Sequence, residues 1–257
     1  MPLTHEEKER YSRQIMIEGW GLEGQKRLQA ATVFIAGAGG LGSPVSMYLA
    51  AAGIGTLRIC DCGEPELSNL NRQLLHDDGR IGMSKAESAR MTLKGINPHA
   101  TVVPLPEAIT DASISRLAGG ADVLVDCLDS FEARHVLNRY AVERGIALVH
   151  AAVQGLDGQV SVFHSPHTPC MACIFPREFP RGVFPIAGFT AGVIGSLQAA
   201  ETVKLLLGLE KSLYNTLLMW DGTRCDFQKI TVCRSPVCPV CGKKDTGHTP
   251  AKDTHTP

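Results

Sequence analysis

Residues 31–42 read Ala-Thr-Val-Phe-Ile-Ala-Gly-Ala-Gly-Gly-Leu-Gly. Ala31 to Ala36 is a short, continuous apolar run, as a strand buried on both faces requires. It feeds directly into Gly37, Gly39 and Gly42, which satisfy G-x-G-x-x-G. The glycines allow a tight turn and close backbone approach, and the helix that follows offers unpaired N–H groups to a phosphate. That helix is expected to run through Ala52. A second strand follows at Thr56–Cys60 and ends on Asp61, an acid placed to hold ribose hydroxyls. A strand, a crossover helix and a second strand in this space give adjacent parallel strands.

The alternation continues outward from this unit. Helix 84–95 precedes a strand near 100–105, helix 112–118 leads to a strand at 122–126, and helix 131–144 leads to a strand at 146–152. This pattern predicts an α/β fold with a doubly wound, Rossmann-like and mostly parallel sheet. From residue 155 the texture changes. Residues 158–163 alternate like an antiparallel strand, a helix at about 190–207 follows, and further strands are expected around 214–220 and 225–232. Ahead of the sheet, helices are expected over residues 4–18, with Thr4 as N-cap, and over 21–30. Residues 1–242 are expected to form a single domain, and 243–257 (KKDTGHTPAKDTHTP) a disordered tail.

Bulk properties bound the function. In 257 residues the formal net charge is -1 and aromatics are 5%, so neither a basic field nor a stacking platform for nucleic acid is expected. No stretch approaches about 18 clean apolar residues, so no membrane span is expected. Met1 to Arg10 is polar and charged, without the apolar core of a signal peptide, which points to the cytoplasm. Nine cysteines in such a chain favour metal binding or catalysis over disulfides.

Charged groups gather where the C-terminal ends of parallel strands form a ligand crevice. After Asp61 come Ser68-Asn69-Leu70-Asn71-Arg72-Gln73 and then Lys85. On the fourth strand comes Asp126-Cys127-Leu128-Asp129-Ser130, and ahead of the sheet lies Arg10-Tyr11-Ser12-Arg13-Gln14. A carboxylate attacking an α-phosphate brings two anions together, so such a site must supply cations. Arg72 and Lys85 would clamp a triphosphate, with Asp129 holding a Mg²⁺ that neutralises developing charge. A protein C-terminal carboxylate, with a pKa of about 3.3–3.7, is already ionised and needs no general base. That suits a site without an obvious catalytic histidine, whereas hydride transfer usually wants one.

Cys170-Met-Ala-Cys173 and Cys238-Pro-Val-Cys241 form two C-x-x-C pairs. Together they can fill all four positions of a tetrahedral zinc ion, leaving none open for water, so the expected Zn²⁺ is structural.

In combination, RYSRQ, GAGGLG, SNLNRQ, the Asp-x-x-Asp-Ser region, GVIGSLQA and the paired C-x-x-C motifs resemble the ubiquitin-activating-like adenylyltransferase family (HesA/MoeB/ThiF), from Arg10 to about Gly242. The resemblance implies ATP-dependent adenylation, with release of pyrophosphate, of the Gly-Gly tail of a ubiquitin-like (β-grasp) sulfur-carrier protein. It implies a homodimer in which Arg13 reaches the partner subunit's nucleotide. It implies that Gly40, Asp61, Asn69, Arg72, Lys85 and Asp129 bind ATP and magnesium, with Gly37, Gly39, Gly42, Ser68, Asn71 and Ser130 completing the nucleotide set. Two departures stand out. Many members carry Asp-x-Asp where this chain has Asp61-Cys62-Gly63. The stretch between Cys173 and Gly192 holds no cysteine, which argues against a thioester or persulfide step. Of the remaining thiols Cys60, Cys62, Cys127, Cys225 and Cys233, Cys62 and Cys127 are expected nearest the nucleotide. The alternatives are a relative acting on another carboxylate (a peptide C-terminus or modified tRNA) and an NAD-dependent oxidoreductase. Arg13, Arg72 and Lys85 speak against the latter.

Overall fold

A computed structural model describes residues 2–176, 184–209 and 212–242. β1 (Thr32–Ala36) is flanked by β2 (Thr56–Cys60) and β4 (Val123–Asp126), both parallel to it. β3 (Thr101–Leu105) pairs with β2, and β5 (Ala147–Gln154) pairs with β4, also in parallel. β6 (Asp157–Phe163), β7 (Thr216–Asp221) and β8 (Asp226–Thr231) then extend the sheet antiparallel from β5. The strand order is β3-β2-β1-β4-β5-β6-β7-β8. The chain therefore winds one way from β1 to β3 and the other way from β4 onward. The gap between the C-terminal ends of β1 and β4 is the topological switch point, where ligands bind in open α/β sheets.

Strand alternation builds two cores. Val33 and Ile35 of β1, with Val123 and Val125 of β4, face one side of the sheet, and Phe34, Ala36 and Leu124 face the other. The first face is covered by α3 (Gly21–Ala30), α4 (Gly42–Ala52), α5 (Lys85–Ile96) and α9 (Gly188–Leu207), through residues such as Leu28, Val45, Leu93 and Ile194. The second is covered by α6 (Ile114–Leu117) and α7 (Phe131–Arg144), through Leu117, Leu137 and Tyr140. α9 lies close against α4, because a Cβ at Gly195 would run into Pro44 and the Leu41 carbonyl. Buried on α9, Gln198 donates to the carbonyls of Asp126 (2.8 Å) and Val149 (3.2 Å), tying this helix to the end of β4 and to the body of β5.

The N-terminal segment departs from the expected single helix over 4–18. Thr4 and Glu7 form a capping box as the sequence suggests, but the helix splits into α1 (His5–Arg10) and α2 (Ser12–Ile15). The break falls at Tyr11, whose ring is buried against Gly53 while its hydroxyl accepts from Asn97 Nδ2 at 2.8 Å. Gln14 donates to the Ala52 carbonyl at 2.8 Å. Both anchors grip the C-terminal end of α4. A further short helix, α8 (Met171–Ile174), was not expected. The expected tail, 243–257, lies outside the described residues.

Candidate functional site

The glycine turn leaves β1 at the switch point. Gly37 has φ +101°, and a Cβ there would sit 2.6 Å from the Cys127 carbonyl oxygen, so the turn and the loop after β4 are in direct contact. A Cβ at Gly42 would strike the Gly37 carbonyl, so the start of α4 folds tightly back on the turn. Asp61, at the end of β2, accepts from the backbone N–H of Ala38 and of Gly63, both at 2.8 Å. It thereby fixes the turn from the β2 side and stabilises the chain reversal at Gly63.

Two cations arrive from different directions. Arg72 lies beside Gly40, its Cγ 3.6 Å from where a Cβ would be, and its Nη1 donates to the Ser68 carbonyl (2.9 Å) and to Asn71 Oδ1 (3.0 Å). Buried Asn69 organises this segment by accepting from Glu66 N at 3.3 Å. Lys85 opens α5, and its Nζ and Asp61 Oδ1 both lie close to Gly63, 3.6 and 3.2 Å from a Cβ placed there. Gly37, Gly39, Gly40, Gly42, Asp61, Ser68, Asn69, Asn71, Arg72 and Lys85 thus form one neighbourhood, with Asp129 and Ser130 joined to it through Cys127. Asp129 is exposed and makes no hydrogen bond or ion pair among the described residues. Arg13 is the outlier. It is exposed on α2, at the end of α4 opposite the glycine turn, about 16 Å of helix away.

Two buried elements carry no recognisable sequence signal. His76 Nε2 lies 2.9 Å from the Ala38 carbonyl and Nδ1 lies 2.8 Å from Ser88 Oγ, so the ring links the glycine turn to α5. Burial lowers its pKa, and the charges of Lys85 and Arg80 add to the effect, so the neutral ring donates from Nε2 and accepts at Nδ1. The second is a charged cluster under the loop after β4. Asp126 is fully buried, with His150 Nδ1 at 2.7 Å and Arg134 Nε at 3.4 Å from its Oδ2. Burial alone would raise its pKa, but Arg134, His150 and the Leu128 N–H hold it below the usual carboxylate range.

Neither buried thiol near the turn is set up to react. Burial, reinforced by Asp61, pushes Cys60 up to about 12, and burial with Asp126 raises Cys127 well above the usual thiol range. Cys62, Cys225 and Cys233 are exposed. Part of the cysteine-free crossover stretch, residues 177–183, lies outside the described residues.

Away from this site, the sulfurs of Cys170, Cys173, Cys238 and Cys241 lie within 4.8 Å of one another. Cys170–Cys238 is 3.6 Å, Cys173–Cys241 is 3.4 Å and Cys170–Cys173 is 3.9 Å. A tetrahedral zinc with Zn–S of about 2.3 Å places sulfurs about 3.8 Å apart, so the four thiols fit that ion. They join the start of α8 to the segment after β8.

Residues 11–240 match the ThiF family. This chain belongs to the ThiF family. Among curated relatives, it is 41% identical to the sulfur carrier protein adenylyltransferase of Thermus thermophilus, covering 96% of this chain and 95% of that one. It is 39% identical to the SAMP-activating enzyme E1 of Haloferax volcanii (91% and 89%). It is also 39% identical to the molybdopterin-synthase adenylyltransferase of Escherichia coli (94% and 99%). Among solved structures, Escherichia coli MccB with ATP superposes with a TM-score of 0.78 at 26% identity, covering 91% of this chain and 74% of MccB. No helix among the described residues of this ThiF-family chain is long and apolar enough to cross a membrane.

Proposed function

We propose that this enzyme uses ATP to adenylate the C-terminal glycine carboxylate of a ubiquitin-like sulfur-carrier protein ending in Gly-Gly, releasing pyrophosphate, as a cytoplasmic homodimer. The observation that carries the reading is the arrival of Arg72 and Lys85 at a glycine turn on the switch point, in a chain whose curated relatives are adenylyltransferases. The turn and the N-terminus of α4 would receive phosphate oxygens, Asp61 the ribose, and Ser68, Asn69, Asn71 and Ser130 the remaining polar contacts.

Arg72 and Lys85 would screen the approach of one anion to another and hold the charge that grows on the leaving pyrophosphate. The carrier carboxylate is already ionised, so no protein base has to remove a proton. Its oxygen forms a bond to the α-phosphorus, and the bond from that phosphorus to the bridging oxygen breaks. Asp129 suits Mg²⁺, because it offers a hard carboxylate oxygen that no protein group occupies among the described residues. Bound there, the ion would neutralise phosphate charge. Arg13, remote from its own chain's turn, would serve the site of a second subunit. Formation of the adenylate is the step assigned to this chain, since Cys60 and Cys127 are held as thiols and the crossover stretch holds no cysteine. The choice of a carrier protein over another carboxylate is supported by the relative named as a sulfur carrier protein adenylyltransferase, 41% identical over 96% of this chain.

ATP–pyrophosphate exchange with candidate Gly-Gly carriers tests this. Exchange dependent on a carrier is expected, and tight NAD binding with no exchange would overturn the reading. Asp129→Ala should abolish exchange while zinc content and fold persist, and surviving activity would reject Asp129 as the magnesium ligand.

A further inference from the structure

The backbone of Leu128, the residue before Asp129, is held from both sides. Its N–H donates to Asp126 Oδ1 at 3.0 Å. Its carbonyl accepts from Arg134 Nη2, which also donates to the Ala151 carbonyl on β5 at 3.1 Å. Arg134 is 5% exposed and Asp126 0%, and their ion pair is completed by His150, again from β5. The loop after β4 is thereby locked to the first turn of α7 and to the neighbouring strand. The one acid carried by that loop, Asp129, is left exposed and without a protein partner among the described residues.

An ion pair buried this deeply is a weak source of net stability, because the desolvation of two charges cancels much of their attraction. An apolar pair of similar volume would serve the fold as well. What the charged pair supplies, and an apolar pair cannot, is a donor and an acceptor directed at the backbone of one residue, Leu128. We infer that Arg134, anchored by Asp126, is a positioning residue that fixes the carboxylate of Asp129 for a divalent cation carried by ATP. The inference rests on the proposed function for its choice of ligand, and its geometry is independent of the carrier.

Groups that orient a metal ligand without touching the metal typically change metal affinity by about 10- to 100-fold when altered. Arg134→Lys keeps the charge beside Asp126 but loses the planar fork that meets two carbonyls and a carboxylate at once. Mn²⁺ serves as the probe, its binding to the full-length protein with ATP followed by water-proton relaxation, with no carrier present. Arg134→Lys is expected to weaken Mn²⁺ binding by about 10- to 100-fold, while metal-free ATP affinity and zinc content stay at wild-type values. Asp126→Asn, which keeps the bond to the Leu128 N–H but removes the anchoring charge, should act in the same direction and covers the case in which Arg134→Lys does not fold. Wild-type Mn²⁺ affinity in either soluble variant overturns the inference. So does a parallel loss of metal-free ATP binding, which would mark a general structural role. Wild-type protein that binds Mn²⁺ and ATP but exchanges with no carrier overturns the proposed function instead, and leaves the effect of Arg134 to be read.

Discussion

A Cβ on Gly37 would stand 2.6 Å from the carbonyl oxygen of Cys127, so the glycine turn and the Asp129 loop are packed backbone against backbone. Gly37 also has φ +101°, where an L side chain adds strain of about 1–3 kcal/mol. Gly37→Ala should therefore lower stability by at least that amount, read as a shift of the urea midpoint. It should also weaken ATP binding more than Gly39→Ala does, because a Cβ at Gly39 meets only the end of the Gln73 side chain at 3.7 Å. Equal effects of the two substitutions would show that contact with the Asp129 loop is not what the turn requires.

Most of the sheet was legible because each parallel strand announces itself by an apolar run and each connection by helical periodicity. The Ala31–Gly42 stretch located both the first strand and the glycine turn at the start of α4, since strand, turn and helix are contiguous there. What was not legible depends on contacts distant in sequence. The break falls at Tyr11, which is anchored by Gly53 and Asn97 far along the chain, and nothing local in the run after Thr4 ends a helix. His76 reads as an ordinary polar residue until Ala38 and Ser88 converge on its ring. Asp126 and Arg134 are eight positions apart across a loop, a spacing that belongs to no single element. The four zinc-spaced cysteines were legible despite their separation, because the C-x-x-C spacing carries the chemistry by itself.

His76 makes the glycine turn sensitive to moderate acid. Burial lowers its pKa in the folded chain, while the unfolded chain takes up a proton below about pH 6.5. The folded state thus resists a proton that the unfolded state accepts. The corresponding stability is intact above that value and is lost as pH falls toward the depressed folded value. His76→Gln removes this titration. The wild type should lose urea-midpoint stability between about pH 7 and about pH 5 more steeply than His76→Gln. Parallel pH profiles would show that His76 takes up its proton equally in the folded and the unfolded chain, so that burial does not depress it. The remaining slope of the variant should retain the same sign, because burial depresses His150 in the same direction.

Zinc removal should act locally. The Cys170–Cys173–Cys238–Cys241 cluster packs with Val142 and Val240, apart from the two cores that cover the sheet. Structural zinc contributes about 10–16 kcal/mol of apparent free energy in isolated fingers, comparable to the stability of a whole domain. Here none of the cluster's residues lies on a central strand. Cys238→Ser or chelation should release zinc and expose the amides of residues 170–175 and 233–242 to hydrogen exchange, with β1, β2 and β4 still protected. Loss of protection throughout the sheet would mean that the metal holds the entire fold together.

Arg13 yields the sharpest test of assembly. Tyr11 and Gln14 are turned inward and bound at the C-terminal end of α4, which leaves Arg13 outward and an entire helix away from its own glycine turn. If Arg13 serves the partner subunit's nucleotide, a defect in Arg13 and a defect in Lys85 lie in different composite sites of a mixed dimer. Arg13→Ala and Lys85→Ala should each lower carrier-dependent exchange by about 100- to 1,000-fold, the usual effect of removing one group that stabilises transition-state charge. Mixing the two inactive proteins under conditions that exchange subunits should then restore activity, because one site of each mixed dimer carries both an intact Arg13 and an intact Lys85. With random mixing, half of the dimers are mixed and each has one competent site, so recovery should approach about a quarter of wild-type exchange. A mixture no more active than its components, with subunit exchange verified by mass, would place Arg13 outside the partner's site.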